Sequence, residues 1–185
     1  MDLHRLLTTG VLTLALAAGS AIAQTEKAKK QAEVKKVTAA SLEKFYKADP
    51  KLKEAVAKAP GYAVFTTYGL SFIIGGQGGK GIAYDAKTKK DVFMDMAQAS
   101  AGFQAGIAES ETLIIFKSPK ALAEFIDKGW DFGGGGAVQA GAAGKSAGAA
   151  EGVIPEAQYY TLTKNGLQAG VAVAGTKFWK DKELN

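Results

Sequence analysis

The chain of 185 residues contains no cysteine, one histidine and one arginine, and the last two lie side by side at His4 and Arg5. The absence of cysteine excludes disulfide bonds, thiolate metal sites and a cysteine nucleophile. With 47% hydrophobic and 22% charged residues, the composition is typical of a globular protein. A chain of this length is expected to form one ordinary domain.

Residues 1–23 are typical of a secretory signal peptide. A short polar start is followed by an apolar run from Leu6 to Ala18 and by the small-residue pair Ala21 and Ala23. This run is shorter than the roughly 20 residues that a membrane-spanning helix needs. An uncleaved anchor or a buried helix is the alternative. We expect an exported protein that is periplasmic, peripheral to the envelope membrane, or secreted.

Cleavage before Gln24 would leave a mature chain without histidine, cysteine or arginine. Such a chain cannot use Ser-His-Asp or Cys-His catalysis, and it cannot bind zinc through histidine. The sequence therefore predicts a protein that is not an enzyme and that has no metal site and no cofactor.

Positive charge is concentrated in residues 24–58, which hold ten lysines and five acidic residues, whereas residues 59–185 hold twelve of each. The first segment lacks glycine and is rich in good helix formers. One apolar stripe is predicted, and a second short helix carrying Leu52 and Val56 is expected after Asp49 and Pro50. Such a basic amphipathic helix pair either lies on an anionic membrane or packs against its own domain.

Beyond residue 61 the sequence has the short alternating runs of β-strands, separated by glycine. Ser118, Pro119 and Gly129 mark the start and end of one internal helix, and Asn165-Gly166 marks a hairpin turn. Glycines inside strands indicate strong curvature. We therefore predict an α+β fold with a strongly curved, mostly antiparallel, barrel-like sheet, N-terminal helices and one internal helix. The predicted strands are 62–65, 70–74, 81–84, 92–96, 101–107, 112–116, 159–162 and 167–173.

Two segments resemble nucleotide-binding motifs, but each lacks a required part of its motif. Gly76–Gly81 fits the G-x-G-x-x-G pattern, but a strand and a charged turn follow it where a helix is required. Gly144-Lys145-Ser146 lacks the earlier glycine of a P-loop. The carboxylate pairs Asp91/Asp95 and Glu109/Glu111 are interpreted as solvated strand residues. Because the basic segment has few aromatic residues, we expect no nucleic-acid binding.

Several blocks of the body resemble the SYLF lipid-binding domain family, in its exported, single-domain bacterial branch. The resemblance covers about residues 40–182. It is carried by these blocks: Gly61–Phe65, Ile74–Gly81, Ala99–Gly106, Phe116–Phe125, Gly129-Trp130 and Tyr160–Gly175. It implies a compact β domain with packed helices, and in eukaryotic members it implies membrane binding through a basic amphipathic helix.

Transferred to this sequence, the resemblance predicts a lipid-binding surface that combines lysines with two apolar side chains. The predicted domain boundaries are a signal peptide at 1–23, a basic helical or flexible leader at 24–38 and a SYLF-like domain at 39–185. We predict a non-enzymatic envelope protein that binds anionic phospholipid; the alternative is a structural or protein-interaction module of the envelope or extracellular matrix, with an unknown protein partner. The predicted lipid-binding residues are Lys44, Phe45, Lys47, Lys51, Leu52, Lys53 and Lys58.

Overall fold

The computed structural model describes residues 7–67, 78–98, 110–132, 139–140, 156–164, 166–169 and 176–185, with side chains described from residue 24 onward except at 98 and 139–140. The strands predicted at 70–74 and 101–107 lie outside the described residues. So does the end of the strand predicted at 167–173.

Three helices are present in the described residues: α1 (Leu7–Ala48), α2 (Lys51–Lys58) and α3 (Pro119–Lys128). Between α1 and α2, the Asp49 carboxylate accepts a hydrogen bond of 3.0 Å from the amide of Lys51. The start of α3 follows the predicted signal, because Ser118 Oγ accepts a hydrogen bond from the amide of Ala121. Gly129 ends α3 with a φ of 68°.

The strands form one antiparallel sheet in the order β6-β5-β9-β3-β2-β1-β4-β7-β8. The predicted β7–β8 hairpin is present, and the strands predicted at 81–84 and 92–96 pair with each other in β2 and β3. Strands β5, β6 and β9 were not predicted. The described strands are β1 (Gly61–Thr66), β2 (Gly78–Asp85), β3 (Lys90–Gln98), β4 (Glu111–Phe116), β5 (Trp130–Phe132), β6 (Gln139–Ala140), β7 (Ala157–Thr163), β8 (Gly166–Ala169) and β9 (Thr176–Lys180).

Ring contacts across the sheet demonstrate its curvature. Six strand spacings separate β5 from β7, which in a flat sheet would be about 29 Å at the usual spacing. The rings of Phe132 and Tyr159 on these strands nevertheless have their centroids 5.9 Å apart. The rings of Phe65 on β1 and Phe178 on β9 are 4.6 Å apart across three spacings. The sheet is therefore strongly curved, and the predicted α+β fold class is confirmed.

Helix α3 packs on the concave side of this sheet. Phe125 is fully buried there, with its ring 4.8 to 6.2 Å from the rings of Phe65, Phe116, Trp130 and Phe178. A Cβ atom at Gly81 would lie 2.4 Å from the Phe65 ring. Glycine in β2 thus leaves room for the aromatic core, as expected of a glycine inside a curved strand.

Helices α1 and α2 pack on the convex side of the sheet in two apolar clusters. The first joins the end of α1 and all of α2 to β1 and β4, and the second joins the middle of α1 to β2, β3 and the C-terminal tail. These clusters consist of Phe45, Leu52, Val56, Val64, Leu113 and Ile115, and of Val34, Ile82, Phe93 and Leu184.

Helix α1 runs without a break through residue 23 and through residue 38, where the sequence analysis places its two boundaries. Val34 and Thr38 of the predicted leader are buried against the domain. Both boundaries stay predictions. Among the residues described with side chains, no helix combines the length and the apolar character that crossing a bilayer requires.

Candidate functional site

The candidate site is the basic arm, which we define as residues 24–58. In α1 the buried positions of the arm recur at steps of three and four residues, at Val34, Thr38, Ser41 and Phe45. This stripe faces the sheet and leaves the opposite side of the helix to solvent. The arm is docked along its length, so its lysines differ in what they contact.

Lys44 is bound to the domain. Its Nζ lies 2.6 Å from Oε1 of Glu111, and the same oxygen accepts a hydrogen bond of 3.1 Å from Ser41. The Glu111 side chain is 3% exposed, whereas that of Lys44 is 53% exposed. A buried carboxylate is costly unless it is paired. Lys44 therefore holds α1 to β4, whatever else it contacts.

Three further lysines of α1 contact other parts of the domain. Lys35 forms an ion pair of 2.8 Å with Asp91 on β3. Lys27 donates a hydrogen bond of 2.6 Å to the backbone oxygen of Asn185, and Lys30 lies 4.0 Å from Glu183. These contacts fix the predicted leader to the sheet and to the C-terminal tail.

Two lysines form ion pairs within their own helices. Lys29 pairs with Glu26 at 2.9 Å, and Lys58 pairs with Glu54 at 2.5 Å. All four side chains are more than half exposed. Such surface pairs are weak and are screened by salt, so Lys58 keeps an accessible positive charge.

The two apolar residues of the predicted site are placed in the core. Phe45 is fully buried and Leu52 is 2% exposed, and both pack against Val64, Leu113 and Ile115. The apolar side of the amphipathic arm is therefore covered by the convex side of the sheet. Neither side chain is positioned to enter a bilayer in this structure.

Four lysines of the arm point outward and form no ion pair with any described residue: Lys36, Lys47, Lys51 and Lys53. Lys36 and Lys47 are eleven positions apart in α1, which is about three helical turns, so they lie on one side of the helix. Lys47, Lys51 and Lys53 belong to the predicted site. Lys36 was missed, although its position opposite Val34 and Thr38 in the helical repeat would have identified it.

The carboxylates singled out in the sequence are engaged in ion pairs. Asp91 pairs with Lys35, while Asp95 and Asp181 both pair with Lys80. Burial raises the pKa of Asp95 above its ordinary value, although the hydrogen bond from Lys80 opposes this effect. Glu109 lies outside the described residues. Within the part of the chain that the structure describes, no three acidic or histidine side chains are grouped so as to hold a metal ion.

The C-terminal tail was missed by the sequence analysis. Asp181 accepts hydrogen bonds from the amides of Glu183 and Leu184. The Asn185 side chain pairs with the backbone of Phe93 on β3, and Gln31 of α1 donates to the backbone oxygen of Leu184. The bonds of Asp181 are local, but no short sequence signal marks the docking of the tail, because Phe93 and Gln31 are distant from it in the chain.

Comparison with known proteins gives consistent matches. Residues 97–185 match the sequence model of the family described as Ysc84: Las17-binding protein actin regulator. The chain is 30% identical over 152 residues to Beta cell expansion factor A from Aeromonas veronii, a match that covers 78% of this chain and 54% of that protein.

Vertebrate relatives match a similar region. SH3 domain-containing YSC84-like protein 1 from Rattus norvegicus and that from Homo sapiens are each 29% identical over 136 residues, covering 70% of this chain and 40% of theirs. The chain thus spans about half or less of the length of these relatives.

Proposed function

We propose that this chain, which belongs to the Ysc84/SYLF family, is a non-enzymatic lipid-binding protein of the cell envelope that contacts anionic phospholipid through the outward lysines of its arm. The observation that carries the proposal is the set Lys36, Lys47, Lys51 and Lys53, which are exposed and form no ion pair with described residues. Family membership supports a binding role, since the family's description names binding and regulation.

The mode of binding follows from the docked arm. Phe45 and Leu52 are buried in the domain. The arm can therefore contact a membrane through its charged side chains but presents no apolar face to it. Each lysine near an anionic surface contributes about 1 kcal/mol, so the four together contribute at most about 4 kcal/mol. An affinity of that size is in the millimolar range. Binding through these four residues alone is therefore weak and strongly dependent on salt.

Actin regulation appears in the family's description, but we do not carry it over to this chain. The predicted signal peptide would place the protein outside the cytoplasm, where it would meet neither actin nor cytoplasmic phosphoinositides. Anionic phospholipid, in contrast, is a ligand that an exported protein would meet in the envelope.

The proposal is tested by sedimentation with phosphatidylglycerol vesicles and with phosphatidylcholine vesicles, at low and at high salt. We expect more protein to sediment with phosphatidylglycerol, and we expect high salt to abolish the difference. Neutralising the four outward lysines with glutamine should remove most of the binding. A control variant neutralises Lys120, Lys128, Lys177 and Lys180, which lie on α3 and β9, and it should bind like the wild type.

Equal recovery with both kinds of vesicle would contradict the proposal. It would favour the alternative, a structural or protein-interaction module of the envelope or extracellular matrix without a specific lipid ligand.

A further inference from the structure

We define the β2–β3 turn as residues 86–90, the last of which begins β3. This turn presents three lysines beside the end of the arm. Lys87, Lys89 and Lys90 are all exposed, and none forms an ion pair with a described residue. No other turn in the described residues carries so many lysines. The sequence analysis described this segment only as a charged turn.

A backbone hydrogen bond places the turn next to α2. The amide of Ala86 donates to the backbone oxygen of Pro60 at 3.0 Å, and Pro60 lies two residues after the end of α2. Lys87 and Pro60 also line one cavity together with Asp85 and with α3 from Pro119 to Asp127. The turn and α2 therefore occupy the same end of the sheet.

The turn holds its lysines on a fixed backbone. The Asp85 carboxylate accepts hydrogen bonds of 2.8 Å and 3.2 Å from the amides of Lys87 and Thr88, and the Lys89 amide donates to the backbone oxygen of Asp85 at 2.8 Å. The Asp85 Oδ1 is engaged by these amides, and Asp91, the acidic residue next to Lys90, is paired with Lys35.

Lys89 occupies a backbone conformation that does not favour lysine. Its φ is 55°, and among the described residues no other non-glycine residue has a positive φ. Glycine or asparagine is preferred at such a position. Lysine at this site is therefore not explained by the conformation of the turn, which points to a use for its charge.

We infer that the β2–β3 turn is a second contact for the anionic membrane surface, acting together with the outward lysines of the arm. This inference rests on the proposed function and deepens it. A flat bilayer surface can touch two neighbouring projecting elements at once, whereas a small anion cannot bridge them. The three turn lysines add to the electrostatic attraction of the four outward arm lysines, which is weak on its own.

The test compares binding of the full protein to phosphatidylglycerol vesicles for three forms. These are the wild type, the variant Lys87→Gln/Lys89→Gln/Lys90→Gln, and a control with the same change of charge, Lys128→Gln/Lys177→Gln/Lys180→Gln. We expect the turn variant to bind at least about tenfold more weakly, because each lysine near the surface contributes about fivefold. Its binding should also depend less steeply on salt. The control should stay within about twofold of the wild type. Thermal unfolding checks that each variant is folded.

A single substitution separates a charge role from a structural one. Lys89→Gly removes the backbone strain and should raise the melting temperature, while it weakens vesicle binding about fivefold. A purely structural role would raise the melting temperature and leave binding unchanged, and that result would overturn the inference.

The outcomes also distinguish this inference from the proposed function. If the wild type binds phosphatidylglycerol vesicles and the turn variant binds equally well, or no worse than the control, the turn is not a contact and the proposed function stands. If the wild type does not bind these vesicles at all, both fail.

Discussion

The Lys44 ammonium lies 2.6 Å from a Glu111 carboxylate oxygen that is almost completely withdrawn from solvent. The two residues are 67 positions apart in the chain, and their pairing joins α1 to β4. Ser41, one helical turn before Lys44, donates to the same oxygen. Lifting the arm off the sheet would break both of these contacts and expose the apolar cluster that contains Phe45 and Leu52 to water. The arm is therefore expected to bind its target while docked.

Removing Lys44 should destabilise the fold more than removing the charge of Glu111. Lys44→Ala leaves a buried charge with one remaining hydrogen bond, which costs about 2–3 kcal/mol after allowance for the exposure of Lys44. Glu111→Gln keeps an acceptor for Ser41 and removes the charge, so it costs about 1 kcal/mol. Urea unfolding measures both free energies. A matched control is Lys47→Ala, an exposed lysine three positions on, which should change stability by less than about 0.5 kcal/mol.

If Lys44→Ala and Lys47→Ala prove equally harmless, the Lys44–Glu111 pair does not hold the arm. The inference that the arm binds while docked would then fail with it.

Acidification should weaken the attachment of the C-terminal tail. Burial would raise the pKa of Asp181, but the hydrogen bond from Lys80 and those from the amides of Leu184 and Glu183 outweigh it, and the pKa lies below its ordinary value. A carboxyl group with a lowered folded pKa stabilises the fold above its unfolded pKa of about 3.9, and this stabilisation is lost as the pH falls through the folded value. Asp181→Asn should therefore be less stable than the wild type at neutral pH, and the gap should narrow below about pH 4.

Thermal unfolding over a series of pH values measures this gap. Asp131→Asn serves as the control, because Asp131 is about half exposed and its pair with Lys177 is longer, at 3.3 Å; its gap should be small at every pH. A gap for Asp181→Asn that stays constant down to the lowest pH would show that the charge of Asp181 does not hold the tail.

Two glycines with positive φ should respond differently to alanine. A Cβ atom at Gly129 would lie 2.0 Å from the backbone oxygen of Phe178, whereas a Cβ atom at Gly166 would have nothing within 4 Å. Gly166→Ala should therefore cost about 1 kcal/mol from backbone strain alone. Gly129→Ala adds a clash with a backbone atom and should cost more than about 2 kcal/mol. Equal costs in urea unfolding would mean that α3 and β9 can move apart freely.

Short sequence signals correctly predicted the elements whose ends are determined by nearby residues. The helix α3 starts after Ser118 and ends before Gly129 as its capping residues indicate, and the β7–β8 hairpin turns near the predicted Asn-Gly pair. Strand β9 was missed because Phe178 is flanked by exposed lysine and tryptophan. Its strand conformation depends on pairing with β3, which lies far away in the sequence.

Prediction of the candidate site from the sequence was limited in a similar way. The amphipathic pattern of the arm was visible in the sequence, and so was the separation of Lys47 from the apolar stripe. The pattern left open whether a membrane or the domain covers that stripe, and only the contacts of Phe45 and Leu52 with β1 and β4 answer this. Likewise, the role of Lys44 depends on Glu111, which no spacing rule connects to it.

The contact between the rings of Phe132 and Tyr159 joins two strands that lie six positions apart in the order of the sheet. Any motion that flattened the sheet would separate this pair first and by the largest distance. Because the natural chain has no cysteine, a pair of thiols introduced on β5 and β7 would carry spectroscopic labels at those positions alone. The distance between the two labels would then show whether the sheet flattens when the protein binds a vesicle.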